Sequence, residues 1–229
     1  NSKRKMKHFK NALFLLILLT ATTAMTLQKK TRIVFFGDSI TQMGVNPGGY
    51  ITQMQNKLQQ RGLAAQYELV GAGIGGNKVY DLYLRMEDDV LAKKPDVVVI
   101  WIGVNDVWHK TSGVGTDADK FERFYEALIK KLQAQSIKVV LATPAAIGER
   151  TDFTNPQDGD LNLYAGIIRR LAQKHNLGLV DLRKAFLDYN LKNNTANKES
   201  GILTTDRVHL NEAGNNLVAD KMLEALVKQ

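Results

Sequence analysis

Arg32-Ile33-Val34-Phe35-Phe36-Gly37-Asp38-Ser39-Ile40-Thr41 is a short β-prone apolar run that stops abruptly at a glycine, an acid and a serine. An apolar run without alternation predicts a strand covered on both faces, as in parallel sheets. Four more runs of this kind follow, at 66–70, 96–102, 138–143 and 178–182. Segments of helical period lie between and after them, at 50–60, 79–91, 119–135, 161–175 and 212–227. Repeated βαβ units imply right-handed crossovers and an α/β fold, a three-layer α/β/α sandwich around a five-stranded parallel sheet. No internal repeat, low-complexity tract or linker marks a second domain, so residues 25–229 read as one domain.

The 229 residues include no cysteine, 44% hydrophobic and 24% charged residues, which excludes disordered, collagenous and disulfide-scaffold classes. The net charge of +8 raises the question of a nucleic-acid partner. Seven of the 31 basic residues, and none of the 23 acids, lie in the first thirty positions, so the rest holds 24 basic against 23 acidic residues. A near-neutral body has no strong basic stripe, and no nucleic-acid partner is expected. The basic stretch ending at Lys10, the apolar run 12–19 and the small residues through Ala24 have the order of a secretory signal peptide, residues 1–24. That run is too short to span a bilayer, so the mature protein is expected to be exported without a stable membrane span. Without cysteine it carries neither a disulfide nor a thiol-linked lipid.

In a parallel α/β sheet the ligand site lies beyond the carboxyl ends of the strands, and four such positions carry reactive residues. After the first strand comes Gly37-Asp38-Ser39, a hydroxyl at the sheet mouth or simply a helix cap. It is not a Gly-x-Ser-x-Gly elbow, because Thr41 stands where the second glycine would be. After the second comes Gly71-Ala72-Gly73-Ile74-Gly75-Gly76-Asn77, which matches Gly-x-Gly-x-x-Gly. This permits a nicotinamide-dependent oxidoreductase using Gly71, Gly73 and Gly76, but no acid ends the next strand as a ribose partner would. Such glycines also let a bare backbone N–H approach a reacting oxygen. After the third comes Gly103-Val104-Asn105-Asp106, whose amide either makes a turn or points a donor into the crevice. The fourth is Asp206-Arg207-Val208-His209. Of the four histidines only His109 and His209 are candidate bases, and only His209 has an acid spaced to orient it.

A hydroxyl, a base, an acid and two kinds of oxyanion donor together describe acyl transfer. In these four blocks, taken in order, the chain resembles the GDSL or SGNH hydrolases. The resemblance implies a flavodoxin-like sandwich and a carboxylic ester hydrolase with Ser39 as nucleophile, His209 as general base and then acid, and Asp206 as its orienter. It implies an oxyanion hole formed by the N–H groups of Ser39 and Gly76 and the side-chain amide of Asn105. Ile40 stands where the family's name has leucine, and Gly75-Gly76-Asn77-Lys78 departs from the usual second block. No metal or organic cofactor is called for.

Asp38, Trp108 and His109 are the residues expected to contact substrate. The polar stretch 144–160 carries no long apolar lid of the kind a lipase needs at an oil surface. Short acyl groups, such as acetyl on a carbohydrate, are therefore expected over the longer chains of a lipase, lysophospholipase or thioesterase. A non-catalytic carbohydrate-binding module is the rival from another class.

Overall fold

Five strands carry the fold: β1 (Thr31–Gly37), β2 (Tyr67–Gly73), β3 (Val97–Trp101), β4 (Lys138–Ala142) and β5 (Gly178–Val180). In the computed structural model, which describes residues 29–227, they form one parallel sheet in the order β2-β1-β3-β4-β5. The expected signal peptide lies outside the described residues. β3 is buried at every residue and β1 from Ile33 onward, which is why their sequences are apolar without alternation.

The helices are α1 (Ser39–Gly44), α2 (Tyr50–Gln60), α3 (Val79–Asp89), α4 (Val104–Trp108), α5 (Ala118–Ala134), α6 (Asp158–Lys174), α7 (Leu182–Asn193) and α8 (Glu212–Leu226). α2 packs against α8, while α3 packs against α5 and α5 against α6. Right-handed crossovers put these two groups on opposite faces of the sheet, completing the three-layer sandwich.

The strand order reverses at β1: the chain leaves it for β2 and returns across it to β3. Loops diverge at such a point and leave a crevice between them. Register then sets their height, because Gly37 is level with both Gly73 and Trp101. The residues after β1, β2 and β3 therefore start from one edge.

The glycine-rich run that ends β2 has a packing role that disfavours the dinucleotide alternative. A Cβ on Gly73 would sit 2.1 Å from the backbone N of Gln42, and one on Gly71 would sit 2.5 Å from the Val45 side chain. Backbone and side chain of the α1 segment fill the space directly over this strand end, where a pyrophosphate would have to lie.

Three helices are absent from the sequence reading. α1 and α4 have only six and five residues, too few for a hydrophobic period. α7 buries Leu182, Arg183, Phe186 and Asn190, so half of its inner face is polar. Arg183 is satisfied there by Asp158 (2.7 Å), Asn162 (2.8 Å) and the carbonyl of Ala145 (3.2 Å). β5 ends at Val180, two residues earlier than its apolar run, because Asp181 turns to cap α7 through the N–H of Lys184. α6 starts at Asp158, which moves the last part of the expected 144–160 loop into a helix.

Candidate active site

Ser39 is the first residue of α1, set at the sheet edge by the end of β1. Its neighbour Asp38 is the N-cap, with a side chain accepting from the N–H of Ile40 at 3.0 Å. The expectation that Asp38 contacts substrate is corrected, because its side chain is turned inward and the residue is only 2% exposed. Burial pushes its carboxyl up to about 7 against the opposing Ile40 hydrogen bond, and the nearby Asp106 carboxylate adds to the rise.

The turn 206–209 folds back on itself. One Asp206 oxygen accepts from the N–H groups of Val208 (3.1 Å) and His209 (2.8 Å), and the other lies 2.7 Å from His209 Nδ1. Arg207, between them, takes a left-handed φ of 84°, a conformation few side-chain-bearing residues adopt. Burial alone would raise the Asp206 pKa, but the imidazole and the two backbone donors hold it below the ordinary carboxylate value. A carboxylate on Nδ1 selects the tautomer whose Nε2 accepts. That Nε2 is 2.8 Å from Ser39 Oγ. Of the two candidate bases, His209 is thus the one brought to the serine.

His109 lies one residue beyond α4, beside Trp108, with ring centroids 5.9 Å apart. Burial, with the charge of Lys78, holds its pKa below the ordinary value. Trp108 stands edge-to-face to His209 at 6.4 Å, so its half-buried ring lies beside the candidate base.

The expected oxyanion donors come from three segments. The N–H groups of Ser39 and Gly76 make no hydrogen bond to any described residue. Gly76 has a φ of +75°, where a side chain is strained even though a Cβ would meet nothing within 4 Å. The loop carrying it is tied to α1 by the N–H of Gly75 donating to Gln42 Oε1 at 2.8 Å. Asn105, 3% exposed in the first turn of α4, spends one amide hydrogen on the carbonyl of Asn77 at 3.1 Å, which fixes the plane of its amide. The second amide hydrogen makes no hydrogen bond to a described residue.

Glu149 escaped the sequence reading. It is 1% exposed, and its carboxylate accepts from the backbone N–H groups of Ile202 (2.9 Å), Leu203 (2.6 Å) and Thr204 (2.8 Å). The N–H of Gly148 donates to the carbonyl of Arg207 at 2.9 Å. The loop after β4 thus clamps the segment that carries Asp206 and His209. A lone glutamate in a polar loop has no local signature of this role.

The sequence profile described as "GDSL-like Lipase/Acylhydrolase family" matches residues 35–217. The crystal structure of an acetyl xylan esterase, AlAXEase, is 68% identical, covers 86% of this chain and 100% of its own, and superimposes with a TM-score of 0.85. An acetylxylan esterase from Geobacillus stearothermophilus is 30% identical over 212 residues, covering 85% of this chain and 93% of that protein. Solved structures of an acetylxylan esterase from that organism include catalytic mutants in which a serine, an aspartate or a histidine is replaced by alanine, and the unmutated form is 28% identical, covers 90% of this chain and 98% of its own, and has a TM-score of 0.77. The uncharacterized lipoprotein YqeF of Bacillus subtilis is 28% identical across 98% of this chain and all of its own. The chain belongs to the GDSL-like lipase/acylhydrolase family, and it is a carboxylic ester hydrolase of the SGNH fold.

Proposed function

We propose that the protein removes acetyl groups from acetylated carbohydrate, acetylated xylan or its oligosaccharides above all, through an acyl-enzyme on Ser39. The observation that carries this reading is the unbroken line Ser39 Oγ to His209 Nε2 at 2.8 Å and His209 Nδ1 to Asp206 at 2.7 Å. His209 takes the serine proton as Oγ attacks the ester carbonyl, and Asp206 stabilises the imidazolium that results. The N–H groups of Ser39 and Gly76 and the Asn105 amide receive the charge that develops on the carbonyl oxygen. His209 then protonates the departing sugar oxygen and activates the water that releases acetate.

Similarity to two acetylxylan esterases supports the substrate class. Trp108 beside His209 supplies a flat apolar wall suited to a sugar ring. Export fits the basic and apolar leader and the similarity to a lipoprotein, although this sequence has no cysteine for a thiol-linked lipid. Among the described residues no helix is long and apolar enough to cross a membrane.

The test is acetate release from acetylated xylo-oligosaccharides, alongside p-nitrophenyl esters from acetate to palmitate, by wild type and Ser39→Ala. Acetate release and turnover confined to short chains, both lost in the variant, are expected. Preference for long chains overturns the substrate assignment, and binding without turnover returns the question to a carbohydrate-binding module.

A further inference from the structure

The three oxyanion donors sit on separate segments of chain, and one half-buried side chain links those segments. Arg85 projects from α3 with its side chain 14% exposed and its guanidinium 4.6 Å from the Phe36 ring. Its Nη2 donates to the carbonyls of Gly37 at 2.8 Å and Ala72 at 3.0 Å, at the ends of β1 and β2. Its Nε donates to Asn77 Oδ1 at 2.7 Å, and its Nη1 pairs with Asp89 at 2.8 Å. Gly37 lies two residues before Ser39, and Asn77 directly follows Gly76. The carbonyl of that same Asn77 accepts the Asn105 amide.

We propose that Arg85 is a positioning residue of the oxyanion site: one rigid guanidinium holds the Ser39 segment, the Gly76 segment and, through Asn77, the Asn105 amide in a single relative placement. The inference rests on the reading of those three groups as oxyanion donors. A planar fork with donors in fixed directions suits this task, because the acceptors lie on different strands and loops. Lysine, with one tetrahedral ammonium, keeps the charge and part of the stem packing but cannot span them. Only donors already aimed at the developing oxyanion lower the barrier, so a small rotation of the Gly76 loop or the Asn105 amide appears in kcat and not in ground-state binding.

The test is a double-mutant cycle on p-nitrophenyl acetate with Arg85→Lys, Asn105→Ala and their combination, with Ser39→Ala run beside them. Arg85→Lys is expected to lower kcat by about 10- to 100-fold with KM within about threefold of wild type. If the arginine acts through the oxyanion donors, part of its effect disappears once one of them is gone. The double variant should therefore fall below Asn105→Ala by clearly less than Arg85→Lys falls below wild type. A merely structural arginine gives factors that multiply. Multiplicative factors, or wild-type kcat in Arg85→Lys, overturn the inference. Asn77→Ala removes only the link to the Gly76 loop and leaves the other guanidinium contacts, so a smaller loss in kcat than in Arg85→Lys, again non-additive with Asn105→Ala, is expected of it. That variant decides the question should Arg85→Lys not fold. Turnover that survives in Ser39→Ala overturns the hydrolase reading itself, whereas turnover lost there with multiplicative factors overturns only the role of Arg85.

Discussion

Replacing Glu149 by glutamine keeps the shape of the side chain and removes one acceptor and the charge. In the native clamp one oxygen serves Leu203 and Thr204 at 2.6 and 2.8 Å, and the other serves Ile202 at 2.9 Å. The best placement of the amide keeps its oxygen on the first pair and turns its NH2 toward the N–H of Ile202. Two charge-assisted hydrogen bonds become neutral, at about 1 kcal/mol each, and one N–H loses its acceptor to a facing donor, at about 1–3 kcal/mol. The predicted loss is about 3–5 kcal/mol, a large part of the roughly 5–15 kcal/mol that holds a domain of this size. Urea unfolding of the purified variant reads it directly as a lower midpoint with an unchanged slope. Because the clamped segment leads into Asp206 and His209, kcat should fall as well under conditions where the variant is fully folded. A loss under about 1 kcal/mol would overturn the clamp, since it would mean the three backbone donors find other acceptors at no cost.

Asn105→Ala removes a side-chain donor and should lower kcat by about 10²–10³-fold with little change in KM, measured on p-nitrophenyl acetate. Asp206→Asn should lower kcat by about 10³–10⁴-fold, because an amide no longer selects the tautomer with an accepting Nε2; activity within tenfold of wild type would contradict that role. Asp38 is perturbed in the opposite sense, its pKa raised from 3.8 to about 7 by burial. Its protonated form is favoured in the fold, so its stabilising contribution is full below about pH 4 and is lost as pH rises through about 7. Asp38→Asn preserves a side-chain acceptor for the cap and should abolish that part of the dependence. Urea midpoints at steps from pH 4 to 8 should show wild type losing ground to the variant, and parallel profiles would sink the assignment.

How much of this was legible in the sequence depends on how far each residue reaches. β1 and β3 announce themselves because both faces of each strand are buried, and Ser39 and Asn105 are legible because they stand directly after those runs. His209 is legible through local chemistry, its acid being three residues upstream. Glu149 and Arg85 are not, because their partners lie 53–55 and up to 48 residues away and no local pattern encodes such contacts. Asp38 misled for the converse reason: a cap and a substrate contact use the same residue type at the same place, and only burial separates them. The Gly71–Gly76 run was ambiguous in the same manner, since a glycine needed for a close helix backbone reads like one needed for a phosphate.

Ester hydrolysis here depends on Ser39 acting as a nucleophile activated by His209. That activation is tested most directly by mass spectrometry of the protein after exposure to a fluorophosphonate, which captures an activated serine covalently. A single adduct on Ser39 is expected, absent from Ser39→Ala and formed far more slowly in His209→Ala. An adduct on another residue, or labelling of His209→Ala at the wild-type rate, would contradict it.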